Sequence, residues 1–547
     1  MEDLSPIASV SGRGPVFDEA LLAMARRLAR RYVHPVSTIL SLFTPPRLQR
    51  GAFESPALPL VPPLTPQITV MRPSLRDDIV ERYVAEISAG LDKGKGTIVA
   101  VPEVREGSRV LESLAAKFPD DTAIVHSGLD DAERSRNIWN VAAGKAKVVL
   151  GGRASLFVPP FDLAKIIIHD EDDRSFRDQR TPYYDAREVA IERARVTGAS
   201  VLLVSSTPSL TSIHESSWEL EEPDRTTERA AWPIVEVVKP PRTGMARRAI
   251  AAIIETRRRG QQSLVLLPRA HSTKAGLGPE AVAAFLERVV PGARISRADR
   301  PGLGQRPGAL VEALKADVIV ATEAALAEVQ RPPVSLAVAL GVDTYFQRPS
   351  VSAAEDTFGL LYGLATLVAG IVPKGRLVVE TESSDHHVVQ ALVRGDYRYF
   401  ASHELEVRKE SSNPPFVSLV RLRTNSARHF DFRGSAASGA QDSVLRGAAT
   451  PPNPPSFFRG SAASGAQDSV LRGAATPPNP PTLEGKDLME QLRGLPGVEV
   501  LGPIEAEGGG AEILLKVIDL ETILDQLGSI VSLRKGDIHV EMDPRQW

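Results

Sequence analysis

The chain has 547 residues, 65 Lys+Arg against 68 Asp+Glu for a net charge of −3, and no cysteine. At roughly 100–200 residues per domain this length predicts about three to five domains, and 42% hydrophobic with 24% charged residues predicts well-cored soluble ones. The composition excludes disulfides, a thiol nucleophile and cysteine-ligated zinc or iron–sulfur sites, and with no long apolar run or charged-then-apolar leader the expectation is a cytoplasmic protein without a membrane span.

Residues 16–50 open with an amphipathic helix. Phe17, Leu21, Ala25, Leu28 and Tyr32 recur on one face, and Arg26, Arg27, Arg30 and Arg31 lie on the other. That basic face is either solvated or a set of phosphate contacts. Pro56, Pro59, Pro62, Pro63, Pro66 and Pro73 then predict an extended linker. Short apolar runs follow at Thr97–Val101, Thr122–Val125, Lys147–Leu150, Lys165–Ile168 and Ser200–Val204, separated by helical stretches such as Asp78–Leu91. Continuous apolar strands alternating with helices predict a parallel sheet covered on both faces. A charged, proline-containing connector, Glu219–Arg242, precedes a second set at Ser263–Leu267, Ala293–Ser296, Asp317–Ala321, Leu336–Leu340 and Arg376–Val379. Phe432–Pro455 then recurs letter for letter as Phe458–Pro481. Two identical copies rich in Gly, Ser, Ala and Pro predict a duplicated low-complexity insertion rather than a structural repeat. Its flanks, Phe416–Arg423, Val498–Gly502, Glu512–Val517 and Asp537–Met542, predict the strands of a small α+β domain.

Two α/β lobes in tandem suggest a nucleic-acid motor, which needs a glycine-rich phosphate loop, an acidic pair for magnesium and an arginine from the second lobe. The chain contains no G-x-x-x-x-G-K-[ST], and Pro73–Val80 stands where that loop belongs. His169-Asp170-Glu171-Asp172-Asp173 follows a strand, where it reads as a magnesium site or a polar strand end.

Other stretches are distinctive: Val101-Pro102-Glu103, His126-Ser127-Gly128-Leu129, Gly151–Phe157, Pro182–Glu188, Ser205–Leu210, Pro291–Arg294, Ala321-Thr322-Glu323, Ser412–Phe416 and Val500–Pro503. In this order and spacing they resemble the PriA family of primosomal replication-restart helicases, from about Phe17 to the C-terminus apart from the insertion. The resemblance implies an α/β fold of two tandem RecA-like helicase lobes plus a small α+β C-terminal domain. It divides the chain into a remnant N-terminal DNA-binding domain (1–50), a linker (51–76), lobe one (77–215), a connector (216–245), lobe two without its zinc module (246–400) and the C-terminal domain (401–430 and 483–547), with the insertion at 431–482.

Set on the family pattern, the phosphate-loop lysine falls at Ile79, the leading magnesium-binding aspartate at His169, and the arginines of the last helicase motif at Leu367 and Gly370. These departures imply a chain that is not an enzyme, with Asp170, Glu171 and Asp172 as remnants of a nucleotide site and with neither zinc nor ATP and magnesium as cofactor. They also give the pattern of helicase-deficient actinobacterial homologues. Arg153, in a family DNA-contact motif, and Arg26, Arg27, Arg30 and Arg31 are the expected DNA-binding residues. Forked or single-stranded DNA, primosome proteins and the machinery that loads the replicative helicase are the implied partners. Residual ATP–magnesium binding and a decaying structural product are the competing readings.

Overall fold

The computed structural model describes residues 17–46, 64–75, 78–102, 109–159, 161–268, 278–298, 315–323, 334–369, 374–424, 483–506, 510–532 and 538–544. The insertion at 431–482, Gly370, and Arg76 and Asp77 of the phosphate-loop position lie outside these residues. The chain forms two compact units, one running through Glu406 and the other Val407–Pro544.

In the first unit, α1 (Glu19–Tyr32) starts at Asp18, whose carboxylate accepts from the Leu21 backbone N–H at 2.8 Å. Leu21, Met24, Ala25, Leu28 and Tyr32 are buried, the stripe the spacing predicts. α2 (Val36–Phe43) follows. The first sheet is built from β1 (Ile68–Met71), β2 (Gly96–Ala100), β3 (Thr122–Val125), β4 (Val148–Gly151), β5 (Leu163–His169), β6 (Ser200–Val204) and β7 (Glu219–Glu221). It is seven-stranded, in the order β3-β4-β2-β5-β6-β1-β7, and every pair is parallel. Its crossover helices are α3 (Ile79–Leu91), α4 (Arg109–Lys117), α5 (Asp131–Ala142), α6 (Ala186–Thr197) and the short α7 (Leu210–His214).

After α8 (Arg225–Ala231) comes a second parallel sheet, six-stranded, in the order β10-β11-β9-β12-β13-β8. Its strands are β8 (Ile234–Val238), β9 (Gln262–Leu267), β10 (Ile295–Ala298), β11 (Val318–Thr322), β12 (Val334–Ala339) and β13 (Arg376–Glu380). α9 (Arg247–Arg258), α10 (Pro279–Val289), α11 (Asp343–Phe346), α12 (Ala353–Val368), α13 (His387–Arg394) and α14 (Tyr397–Glu410) accompany them. Apolar residues alternate between two cores. Leu264, Leu266, Ile319 and Ala337 face α12 and α13, whereas Val265, Leu267, Val318, Val320 and Val338 face α9 and α10. This double coverage is why the strands read as continuous apolar runs.

The second unit is an antiparallel sheet, ordered β15-β16-β14-β17, made of β14 (Ser418–Thr424), β15 (Val498–Glu505), β16 (Ala511–Val517) and β17 (Ile538–Met542). Leu422 pairs with Ile513 and Val420 with Leu515 across it. α15 (Leu483–Arg493) and α16 (Leu520–Ser532) complete the unit, and α16 buries Ile523, Leu524 and Leu527.

Three strands fall inside stretches that composition assigns to linkers. β1 lies in the proline-rich linker, where Ile68 to Met71 pair with Val201 to Val204. Pro66 and Pro73 bracket the run and remove no ladder donor from within it. β7 and β8 lie in the connector and close an edge of each sheet, β7 against β1 and β8 against β13. Among the described residues, no helix is long and apolar enough to cross a membrane.

Candidate functional site

Because the first sheet is parallel, its strands end at one edge, where open α/β sheets bind ligands. β1 delivers Arg72 there, β4 Gly151–Arg153, β5 His169–Asp172 and β6 Ser205–Ser209.

Glu171 sits at the centre with no exposure. It accepts from the Ser209 N–H at 2.6 Å, the Ser209 hydroxyl at 3.1 Å, the Ser212 hydroxyl at 3.2 Å and Arg187 Nη1 at 3.0 Å. Arg187 also chelates Asp185, the N-cap of its own helix, at 3.0 Å. Burial alone would raise the Asp185 carboxyl, but Arg187 holds it well below the usual carboxylate range. A buried carboxylate stays charged only when paired and hydrogen-bonded in this way. Asp172 is in the opposite situation. Burial, with Glu171 and Asp170 beside it, pushes its carboxyl up to about 8, and the Thr207 hydroxyl donates to it at 3.2 Å. Asp170 takes the left-handed conformation (φ 51°), and its carboxylate lies 3.5 Å from His169 Nε2. His169 Nδ1 is 2.8 Å from the buried Tyr83 hydroxyl. The structure therefore brings Asp170, Glu171 and Asp172 together but spends both oxygens of Glu171 on protein donors. Among the described residues, no group of three or more acidic or histidine side chains is arranged to hold a metal ion.

The second lobe meets this edge directly. Glu355 of α12 accepts from the Leu210 N–H at 2.8 Å, and Asp356 pairs with Arg174, Nε to Oδ1 at 3.2 Å. The Tyr397 hydroxyl donates to the Pro208 carbonyl at 2.5 Å. Arg72, 3% exposed in its side chain, ties the two together. It donates to the Ser206 carbonyl at 3.2 Å and to Glu228 at 2.8 Å, and its guanidinium lies 4.5 Å from the centre of the Tyr397 ring. The Tyr362 hydroxyl donates to the same Glu228 at 2.5 Å. Burial raises the hydroxyl pKa of both Tyr362 and Tyr397.

Of the family-aligned positions, Ile79 is the first residue of α3, behind the Asp78 cap, and Leu367 packs against the core of the second lobe. Arg153 opens a 3₁₀ turn, Arg153–Phe157. The preceding Gly151 has no room for a side chain, since a Cβ there would fall 1.9 Å from the Val125 carbonyl oxygen. Arg153 donates to the Ser175 carbonyl at 2.6 Å and stands 3.4 Å from Asp178, with 30% of its side chain exposed. On α1, Arg27 binds Glu192 at 2.6 Å and Arg31 binds Glu188 at 3.1 Å, both on α6, while the Tyr32 hydroxyl accepts from the Asp185 N–H. These two arginines dock the helix. Arg26 and Arg30 are the exposed ones.

Sequence reasoning missed Arg72, Arg187, Tyr362 and Tyr397. Arg187 lies inside the Pro182–Glu188 stretch already singled out, and Arg72 follows an apolar run whose strand character the flanking prolines obscured.

No protein-family model matches the chain. It is 25% identical over 409 residues to the replication restart protein PriA of Bacillus subtilis, covering 62% of this chain and 51% of that protein. The PriA proteins of Treponema pallidum (25% over 427 residues, 66% and 64% covered) and Thermotoga maritima (26% over 397 residues, 61% and 54% covered) match in the same way. The chain is PriA-like. It spans between about half and two thirds of the length of these relatives. Among solved structures, Dbp5 of S. cerevisiae bound to RNA and ADP BeF3 matches at a TM-score of 0.39 (10% identity, 73% of this chain and 98% of that one). RecG bound to a three-way DNA junction is another (TM-score 0.39, 13% identity, 70% and 46%). The architecture is two tandem parallel α/β lobes plus a small α+β domain with an antiparallel sheet. The expectation that the chain is not an enzyme is corrected. Its relatives are PriA proteins, which places it beside a DNA-helicase enzyme family, and the substituted motif positions do not show that activity is lost.

Proposed function

We propose that the PriA-like chain is a DNA-binding protein of replication restart, which recognises stalled forks and promotes primosome assembly and reloading of the replicative helicase. The observation that carries this reading is the similarity to curated replication restart proteins over 409 and 427 residues. Arg153 at the strand-end edge of lobe one, and Arg26 and Arg30 on the outer side of α1, are the proposed phosphate contacts. Arg27 and Arg31 hold α1 in place through their carboxylate partners. Binding by these arginines requires neither zinc nor nucleotide.

The test is the salt dependence of binding to a forked DNA. Each phosphate contact contributes about 0.9 to the slope of log K against log salt. Arg26→Glu with Arg30→Glu should flatten that slope by about 2, and Arg153→Glu by about 1. Unchanged slopes would leave these arginines as surface and support residues and remove the proposed interface.

A further inference from the structure

The second sheet has an opposite edge that the proposed site does not use. Its strands are parallel, so the N-terminal ends of β9, β10, β11 and β13 lie together, away from the strand ends that face lobe one. The C-terminus of α9 reaches the same edge and supplies Arg257, Arg258 and Arg259 immediately before β9. Arg294 precedes β10, Lys315 lies just before β11, and Arg376 begins β13.

Four carboxylates, Asp317, Glu255, Glu236 and the exposed Glu287 beside Arg294 and Lys315, stand against these six cations. Asp317 takes Arg294 Nη2 at 3.2 Å and Arg257 Nε at 3.4 Å. Glu255 takes Arg259 at 2.6 Å and Arg376 at 2.8 Å, and Glu236 takes Arg376 again. Asp317 therefore serves two guanidiniums at once, and Arg257 is further anchored on the Gly292 carbonyl at 2.7 Å. What remains outward is chiefly positive, with Glu287 as the acid among it. Arg294 is 69% and Arg259 49% exposed in the side chain, and Arg258 and Lys315 are exposed. Among the described residues, Arg258 makes no ion pair. Basic groups at a helix C-terminus gain from the helix dipole, but this does not account for Arg294, which lies on a different element.

We infer that this edge is a second contact surface for the sugar–phosphate backbone of duplex DNA. The inference rests on the proposed DNA-binding function and adds a second place of contact, on the far side of lobe two. Three features favour a polyanionic backbone. The outward groups are chiefly arginines, which pair with phosphate through two N–H donors at once. They come from separate elements, from Arg294 before β10 through Lys315 before β11 to Arg258 and Arg259 before β9, two strand positions apart, so the charged row is about 10 Å long at about 4.8 Å per strand. A row of that length faces about six phosphate charges of a duplex, at about one charge per 1.7 Å. Asp317 and the Gly292 carbonyl hold Arg257 and Arg294 in place before any ligand arrives.

The experiment compares the full chain with its R258E/R259E/R294E variant on a forked DNA and on a plain duplex, by anisotropy across a salt series. A photocross-linking residue placed at position 258 of the otherwise unaltered chain provides the second readout. The expected result is weaker binding to both DNAs, with a slope reduced by about 2 to 3 on the fork, and a cross-link from 258 to a duplex arm. An unchanged slope with no cross-link overturns the inference. So does loss of binding to an acidic polypeptide with DNA binding intact, which would assign the edge to a protein. Because all three positions are exposed, an unaltered thermal unfolding midpoint separates loss of contact from misfolding. Should the unaltered chain show no preference for forks, the proposed function fails while the duplex arm still tests this surface. A retained fork preference with an indifferent variant sinks only this inference.

Discussion

The strand-end edge of lobe one and the N-terminal edge of lobe two both gather charged side chains and use them in opposite ways. At the first, Arg72 and Glu171 are buried and Arg187 and Asp185 half-buried, and each is matched by specific partners that fix the geometry. At the second, Arg258, Arg259 and Arg294 stay largely in water, and the acids beside them anchor the row without cancelling it. A buried charge must be satisfied inside the protein or it unfolds it. An exposed excess is unconstrained by folding and is available to a partner. The same residue type therefore reads as architecture at one edge and as an interface at the other.

Stability measurements sharpen that contrast. Arg72→Ala should have the largest effect, about 3–5 kcal/mol in denaturant unfolding, because it strands the buried carboxylate of Glu228 beside the Tyr362 hydroxyl. A loss below about 1 kcal/mol would mean the contact between the lobes is not held by this network. Gly151→Ala should cost about 1–3 kcal/mol through its clash with the Val125 carbonyl, read out as a lowered thermal midpoint.

The pH dependence of stability gives a third test. The Asp172 carboxyl rises from its ordinary 3.8 to about 8 on folding, so the native state holds a proton that the unfolded chain releases. This contribution to stability is complete below pH 4 and declines as pH rises towards 8, by at most about 1.4 kcal/mol per unit. Glu380, pushed by burial up to about 7, acts with the same sign. Asp172→Asn should flatten the decline, and an unaltered slope would show that Asp172 ionises freely in the native state. The smallest effect belongs to the outer edge. Arg258→Ala with Arg259→Ala should shift stability by no more than about 0.5 kcal/mol, and a loss of 2 kcal/mol would make those arginines structural and erase the contrast.

Much of the frame was legible because burial on both faces writes itself as apolar runs. Thr122–Val125 and Ser200–Val204 form strands at the positions their composition marks. β1, β7 and β8 were hidden for a physical reason. Each is short, at a sheet edge or next to one, and set among prolines and charges that dominate a composition-based reading. The site was legible only in part. The acidic run after β5 marked the right place, but nothing local announces that Glu171 is bound by Arg187 and Ser209, residues brought to it by the next helix and the next strand. The alternation of basic and apolar residues on α1 fixed its buried face. It could not say which arginines meet carboxylates, because Glu188 and Glu192 lie far along the chain on α6.

The central claim, that the chain recognises forks, is tested most directly by equilibrium binding of the intact protein to a forked DNA and to a duplex of the same length and charge, in one buffer of moderate salt. The account predicts tighter binding to the fork, retained when unlabelled duplex is added in excess. Equal affinities, with duplex competing mole for mole, would contradict it.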